Sequence, residues 1–155
     1  MDTTFMARAI QLALENVRSG NGGPFGSVIV KDGIMLAEAA NQVTATNDPT
    51  AHAEVLAIRQ ACHKLADFEL RGCHLYTSCE PCPMCLGAIY WARIDKVFFA
   101  SLAADAAHAG FDDSAIYSEI AQPHQHREIP MIPMMREEAL AAFYAWEEHP
   151  GKIRY

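Results

Sequence analysis

The sequence has no long apolar run, no internal repeat, no low-complexity stretch and no cluster of basic residues. Each absence closes a class. No stretch approaches the roughly 20 apolar residues that a bilayer span requires, so no transmembrane segment is expected. The N-terminal stretch MDTTFMARAIQLALENV mixes acidic and basic residues into an amphipathic pattern. It lacks the basic start and the unbroken apolar run of a secretory signal. Lys and Arg number 12 against 19 Asp and Glu, a formal charge of -7. That balance repels polyanions, so neither nucleic acid nor an anionic membrane is expected as a partner. Cysteine is odd in number, at 5, and three of the five are bunched at residues 79–85. Such a pattern fits reduced thiols and metal binding better than a disulfide framework, and points to the cytoplasm.

What is present is enough for one domain with a proper core: 155 residues, 51% of them hydrophobic. Phe5, Ala9, Leu12 and Val17 recur near helical spacing and stop at Ser19-Gly20, predicting a first helix. The apolar runs Phe25–Val30 and Ile34–Ala40 flank Lys31-Asp32-Gly33, a hairpin signal. A polar loop from Asn41 to Thr50 leads into a helix over AHAEVLAIRQACHKL. Gly72–Ser78 alternates as a third strand, Cys82–Trp91 reads as a helix and Lys96–Ala100 as a fourth strand. Residues 102–128 mix partial helix and loop. Ile129–Met135 is expected as a fifth strand, at an edge because of Pro130 and Pro133, and Arg136–Glu148 as a last helix. Strands alternating with helices imply parallel crossovers. The expected fold is therefore a three-layer α/β/α sandwich on a mixed five-stranded sheet, one domain over 1–155.

The chemistry concentrates in SCEPCPMC, Ser78 to Cys85. A closed set of four ligands would make zinc a structural staple, whereas three ligands and an open position make it a reagent. Cys82 and Cys85, at i and i+3, share a helix face and can reach one ion. Cys79 falls on the strand end, where that spacing does not fix its direction. His52-Ala53-Glu54 is the best source of a further ligand. On a regular helix, residues two apart diverge, so His52 must sit at the helix start, with Thr50 or Ala51 preferred as the cap. His-x-Glu followed by Pro-Cys-x-x-Cys is the signature of the zinc deaminases. Neutral His52, two thiolates and Zn²⁺ sum to zero charge, and helix N-termini aimed at the metal would keep the thiols deprotonated. Zinc lowers the pKa of its water to roughly 7 in favourable sites, and Glu54 is placed to take the water's proton and pass it on.

Other readings are blander. A closed Cys79/Cys82/Cys85/His52 site would leave Glu54 without a task. Cys62 and Cys73 read as small packing residues. His108, His124, His126 and His149 lie in polar segments and read as solvated, His63 and His74 as surface or strand positions. Met131, Met134 and Met135 read as core or interface filler.

NDPTAHAEVLAIRQAC and LYTSCEPCPMCLGAIYWARI together resemble the cytidine/deoxycytidylate deaminase superfamily. GGPFGSVIVKDG, AGFDDSAIY and the terminal IRY are similar to its bacterial guanine deaminase branch, and the likeness covers nearly the whole chain. The tRNA adenosine deaminases share HAE and PCxMCxGA but not AGFDDS or the IRY terminus. The resemblance implies a cytidine deaminase-like fold and one zinc per subunit, held by His52, Cys82 and Cys85. It implies Glu54 as proton shuttle, Asn41 as the base-recognising amide, and Asp113 as a carboxylate that contacts the purine and relays a second proton. It matches Cys79 to no ligand and Tyr155 to a terminal residue that closes the pocket. Phe25 and Trp91 read equally as stacking walls for a flat base or as ordinary core. The implied reaction is hydrolytic deamination of guanine, a small purine substrate, to xanthine and ammonia in purine catabolism. The alternative is a tRNA adenosine deaminase, or a deaminase of a related base or nucleoside such as cytosine, guanosine or an aminotriazine. A homodimer is expected, in which the segment from about 136 to 155 can be exchanged between subunits.

Overall fold

The apolar stripe of the first helix, α1 (Thr4–Ser19), ends where Gly20 enters the left-handed region at φ 73. Its N–H returns to the carbonyls of Asn16 and Val17, which satisfies carbonyls left over at the helix end. The hairpin that follows pairs β1 (Gly26–Lys31) with β2 (Ile34–Ala40). Asp32 and Gly33 turn it with φ 51 and φ 75. Two successive left-handed residues match the right-handed twist of the flanking strands, and glycine takes that conformation without a Cβ penalty. The computed structural model describes residues 3–155, in two compact units, the first running up to Asp113 and the second Ser114–Tyr155.

In the first unit the short α2 (Val43–Thr46) and α3 (Ala53–Leu65) precede β3 (Cys73–Cys79). Then come α4 (Pro83–Trp91), β4 (Lys96–Ser101) and α5 (Ala103–His108). The sheet order is β2-β1-β3-β4, with β1 antiparallel to both β2 and β3, and β3 parallel to β4. Because α4 connects β3 to β4, the late strand–helix–strand alternation gives the expected parallel pair. Alternation along the inner strands builds two cores. Val28, Val30 and Tyr76 pack with Ala9 of α1 on one face. Ile29, Cys73 and Leu75 pack with Ala57, Ile58 and Ala61 of α3 and Ile89 of α4 on the other. Ile29 and Leu75 are wholly buried, which stabilises the fold by about 1.5–3 kcal/mol for each side chain. The layers are therefore α1, sheet, then α3 with α4.

The fifth strand does not form: among the described residues the sheet has four strands. Pro130 and Pro133 each remove a ladder donor from the 129–135 stretch, which stays irregular and enters the next helix through Met135 at φ 54. Two boundaries also move. Neither Thr50 nor Ala51 caps α3; His52 itself is the N-cap, with extended backbone at φ -72 and ψ 151. Cys82 is the N-cap of α4, also extended, so the helix starts one residue later than expected, with Pro83 in its first turn. The second unit contains α6 (Ser114–Ala121), a 3₁₀ turn (His124–His126) and α7 (Arg136–Glu148), the last at its expected limits. None of its residues is buried. No helix among the described residues is long and apolar enough to cross a membrane.

Candidate active site

The extended N-cap conformation at both helix starts explains how the ligands meet. At an N-cap the backbone has not yet begun to wind, so the side chain projects along the helix entry instead of from its flank. His52 opens α3 and Cys82 opens α4, while Cys85 follows in the first turn of α4. His52 Nδ1 lies 3.5 Å from Cys82 Sγ and 3.4 Å from Cys85 Sγ. All three candidate ligand atoms fall within 4.8 Å of one another. Tetrahedral zinc with ordinary Zn–S and Zn–N bonds separates sulfur from nitrogen by about 3.6 Å, so the donor set fits that ion. Two helix N-termini contribute their partial positive charge at the same point, which favours thiolate.

The two sulfurs hold their protons unequally. The hydrogen bond from Cys85, followed by that with His52, brings the Cys82 thiol down to about 4 despite burial. Cys85 is pushed up, first by its bond to Cys82 and then by burial. His52 is raised, chiefly by its hydrogen bond with Cys82. A soft cation displaces such protons and takes the thiolates as ligands. Among the described residues, His52, Cys82 and Cys85 are the one group of three so placed. Cys79 is buried apart from them, its thiol turned to the Leu102 carbonyl at 3.7 Å and raised by burial.

Glu54, in the first turn of α3, is buried. Because His52 lies outside the regular helix, the divergence of residues two apart does not separate them. Glu54 Oε2 accepts from the Cys85 thiol at 3.4 Å, and Oε1 accepts from the Thr77 hydroxyl at 3.3 Å. Burial raises its pKa above the usual carboxylate range. Its carboxylate thus lies buried beside the three candidate ligands without being one of them.

Asn41 follows β2 and is buried, with Oδ1 accepting the Val43 N–H at 3.2 Å. Its backbone is fixed from two sides. The Asn41 N–H donates to the Phe25 carbonyl at 3.0 Å, and its carbonyl accepts from Asn16 Nδ2 at 2.8 Å. A Cβ on Gly22 would come within 2.3 Å of that carbonyl, so the loop closes on Asn41 only with glycine there. Asp113 ends the first unit half-buried, and burial and then the charge of Cys82 raise its pKa. Phe25 is half-buried and meets Phe111 edge-on, with ring centroids 5.0 Å apart. Trp91 ends α4, about 9 Å along the axis from Cys85 and 63% exposed. Tyr155 lies exposed in the second unit. Asn16, Ser27 and Thr77 were not visible as site residues in the sequence. Their one signal is a polar residue repeated at a position where helical or strand periodicity calls for an apolar one.

Three protein ligands in place of four, with a buried carboxylate alongside, is what metal-assisted hydrolytic deamination requires. The comparisons agree. Residues 1–101 match the cytidine and deoxycytidylate deaminase zinc-binding region, and the chain belongs to that family. It is 58% identical to guanine deaminase of Bacillus subtilis (strain 168) over 152 residues, covering 98% of this chain and 97% of that one. Superposed on the X-ray structure of guanine deaminase from Bacillus subtilis, it gives a TM-score of 0.97 at 57% identity, over 100% of this chain and 99% of the other. The likeness to the tRNA-specific adenosine deaminase of Aquifex aeolicus (strain VF5) is 48% over 87 residues, 56% of each chain.

Proposed function

We propose that this chain hydrolyses guanine to xanthine and ammonia, acting as a cytoplasmic homodimer. The observation that carries the reading is the extent of the likeness. Similarity to a guanine deaminase runs through 98% of the chain, whereas that to the tRNA enzyme covers 56%. His52, Cys82 and Cys85 would hold zinc, which when bound supplies the Lewis acid that activates the attacking water. Glu54 takes the proton of that water and delivers it to a ring nitrogen of the base. The added hydroxyl then gives up the second proton of the water, which Glu54 or Asp113 passes to the exocyclic amine; the C–N bond breaks, the carbonyl forms and the amine leaves as ammonia. Asn41 orients the base through its amide. Carboxylates suit guanine, whose ring edge presents N–H donors, better than adenine, which offers an acceptor at the equivalent nitrogen. A panel of free bases, nucleosides and tRNA, assayed for ammonia release, should show guanine turned over far faster than adenine or cytosine. Efficient inosine formation in tRNA would overturn the assignment.

Exposed apolar surface supports the homodimer. Ile129, Ile132, Met134 and Phe143 of the second unit are 65–79% exposed, and Tyr90 and Trp91 of α4 are 72% and 63% exposed. Such faces ask for a partner, and a second copy of the chain supplies both kinds. On this reading the segment from about 136 to 155 is exchanged between subunits, and Tyr155 covers the bound base, excluding water from the reacting centre. Deleting residues 152–155 should leave zinc content unchanged and greatly reduce kcat/KM. Unchanged kinetics would mean a frayed terminus.

A further inference from the structure

The face of the sheet beneath α3 is apolar at its centre, with Ile29 on β1 and Cys73 and Leu75 on β3. Toward the end of β3 that leads into the ligand cluster it changes character. Ser27 and Thr77, direct cross-strand partners in the β1–β3 register, continue that face with two hydroxyls. Both are buried, at 0% and 1% exposure. Ser27 Oγ donates to Thr77 Oγ1 at 3.0 Å, and Thr77 Oγ1 donates to Glu54 Oε1 at 3.3 Å. A hydroxyl has a single proton. Because Ser27 fills an acceptor position of Thr77, the Thr77 proton is turned away from Ser27 and toward the carboxylate.

We propose that Thr77, oriented by Ser27, is a positioning residue that holds the Glu54 carboxylate in the orientation needed for proton transfer. The proposal rests on Glu54 being the proton carrier. The other side-chain hydrogen bond to this carboxylate comes from Cys85, whose sulfur belongs to the metal set, so Thr77 is the side-chain anchor with no duty to the metal. Threonine suits the task because its β-branch restricts χ1, and a strand fixes the backbone beneath it. An ordinary cross-strand pair on this apolar face would be two hydrophobes, and would stabilise the sheet without leaving a hydroxyl to satisfy. The anchor matters most when Glu54 exchanges protons, so its loss should appear in kcat and not in KM.

Thr77→Val keeps the shape and removes the donor, but it also strands the Ser27 hydroxyl in the core. Ser27→Ala/Thr77→Val removes both hydroxyls and with them that penalty. Zinc content, melting temperature, kcat and KM are measured for both variants, for Thr77→Ser and for Glu54→Gln. In the two valine variants kcat should fall by about 10- to 100-fold, the worth of a hydrogen bond to a charged group, at unchanged KM and zinc. Thr77→Ser should restore kcat to within about threefold of the parent, since it returns the donor. A double variant with parental kcat would overturn the proposal, whatever the single variant does. So would equal losses in Thr77→Ser and Thr77→Val. If Glu54→Gln itself retains turnover, it is the role of Glu54 that fails, and the two failures are distinguished.

Discussion

Glu54→Gln is expected to keep its zinc and to lose about 10⁴-fold or more in kcat, the upper end of what one acid–base group contributes. The upper end applies because Glu54 acts more than once, taking the water's proton and then delivering it to the base. The substitution isolates that duty. Glutamine has nearly the same shape and keeps an oxygen for the Thr77 hydroxyl, which now reaches Oε1 at 3.3 Å. Its nitrogen has no vacant pair with which to accept a proton. His52, Cys82 and Cys85 are untouched, so zinc measured by atomic absorption should match the parent. A structural zinc site predicts the contrary, because there Glu54 would be a buried polar group with no part in turnover. Near-normal kcat in zinc-loaded Glu54→Gln would therefore remove the mechanism while leaving the fold intact.

The parts of the fold that were legible in the sequence are those in which local chemistry and tertiary packing ask for the same residue. Asp32-Gly33 marks a hairpin because the turn needs left-handed backbone, and α7 is bounded as its amphipathic pattern implies. The starts of α3 and α4 were one to two residues off for a reason that bears on function. Helix propensity places a cap at a serine, threonine or aspartate, whereas here His52 and Cys82 occupy the N-caps and make no side-chain capping bond. Both are committed to the ligand cluster. The 129–135 stretch reads as a strand from its apolar alternation, yet a strand requires a neighbour to pair with, and its prolines leave too few donors. Composition cannot supply the missing partner. At the site, ligand residues announce themselves by type and spacing. Ser27 and Thr77 do not, because their meaning depends on which strand lies beside which. Cross-strand register is a property of the assembled sheet.

Cys82→Ala and Cys79→Ala should separate the ligand set from its neighbour. Cys82 and Cys85 lie within one turn and close on His52 Nδ1 at 3.5 and 3.4 Å. Removing one of three protein ligands leaves two, too few to hold zinc against water at the open position. Cys82→Ala or His52→Ala should therefore purify without zinc and without activity. It should also show a lower melting temperature, since metal binding stabilises only the folded state. Cys79 is as close in sequence to Cys82 as Cys85 is, three residues away, but it ends β3 with its thiol on the Leu102 carbonyl at 3.7 Å. Replacing that buried thiol by a methyl costs about 1 kcal/mol, an ordinary value for a small core change, and leaves the donor set whole. Cys79→Ala should keep a full zinc complement and most of its kcat. If Cys79→Ala emptied the site, the ion would need four protein ligands, the open position would vanish, and no water could be activated there. Zinc content in this pair of variants thus decides between a reagent and a staple before any substrate is added.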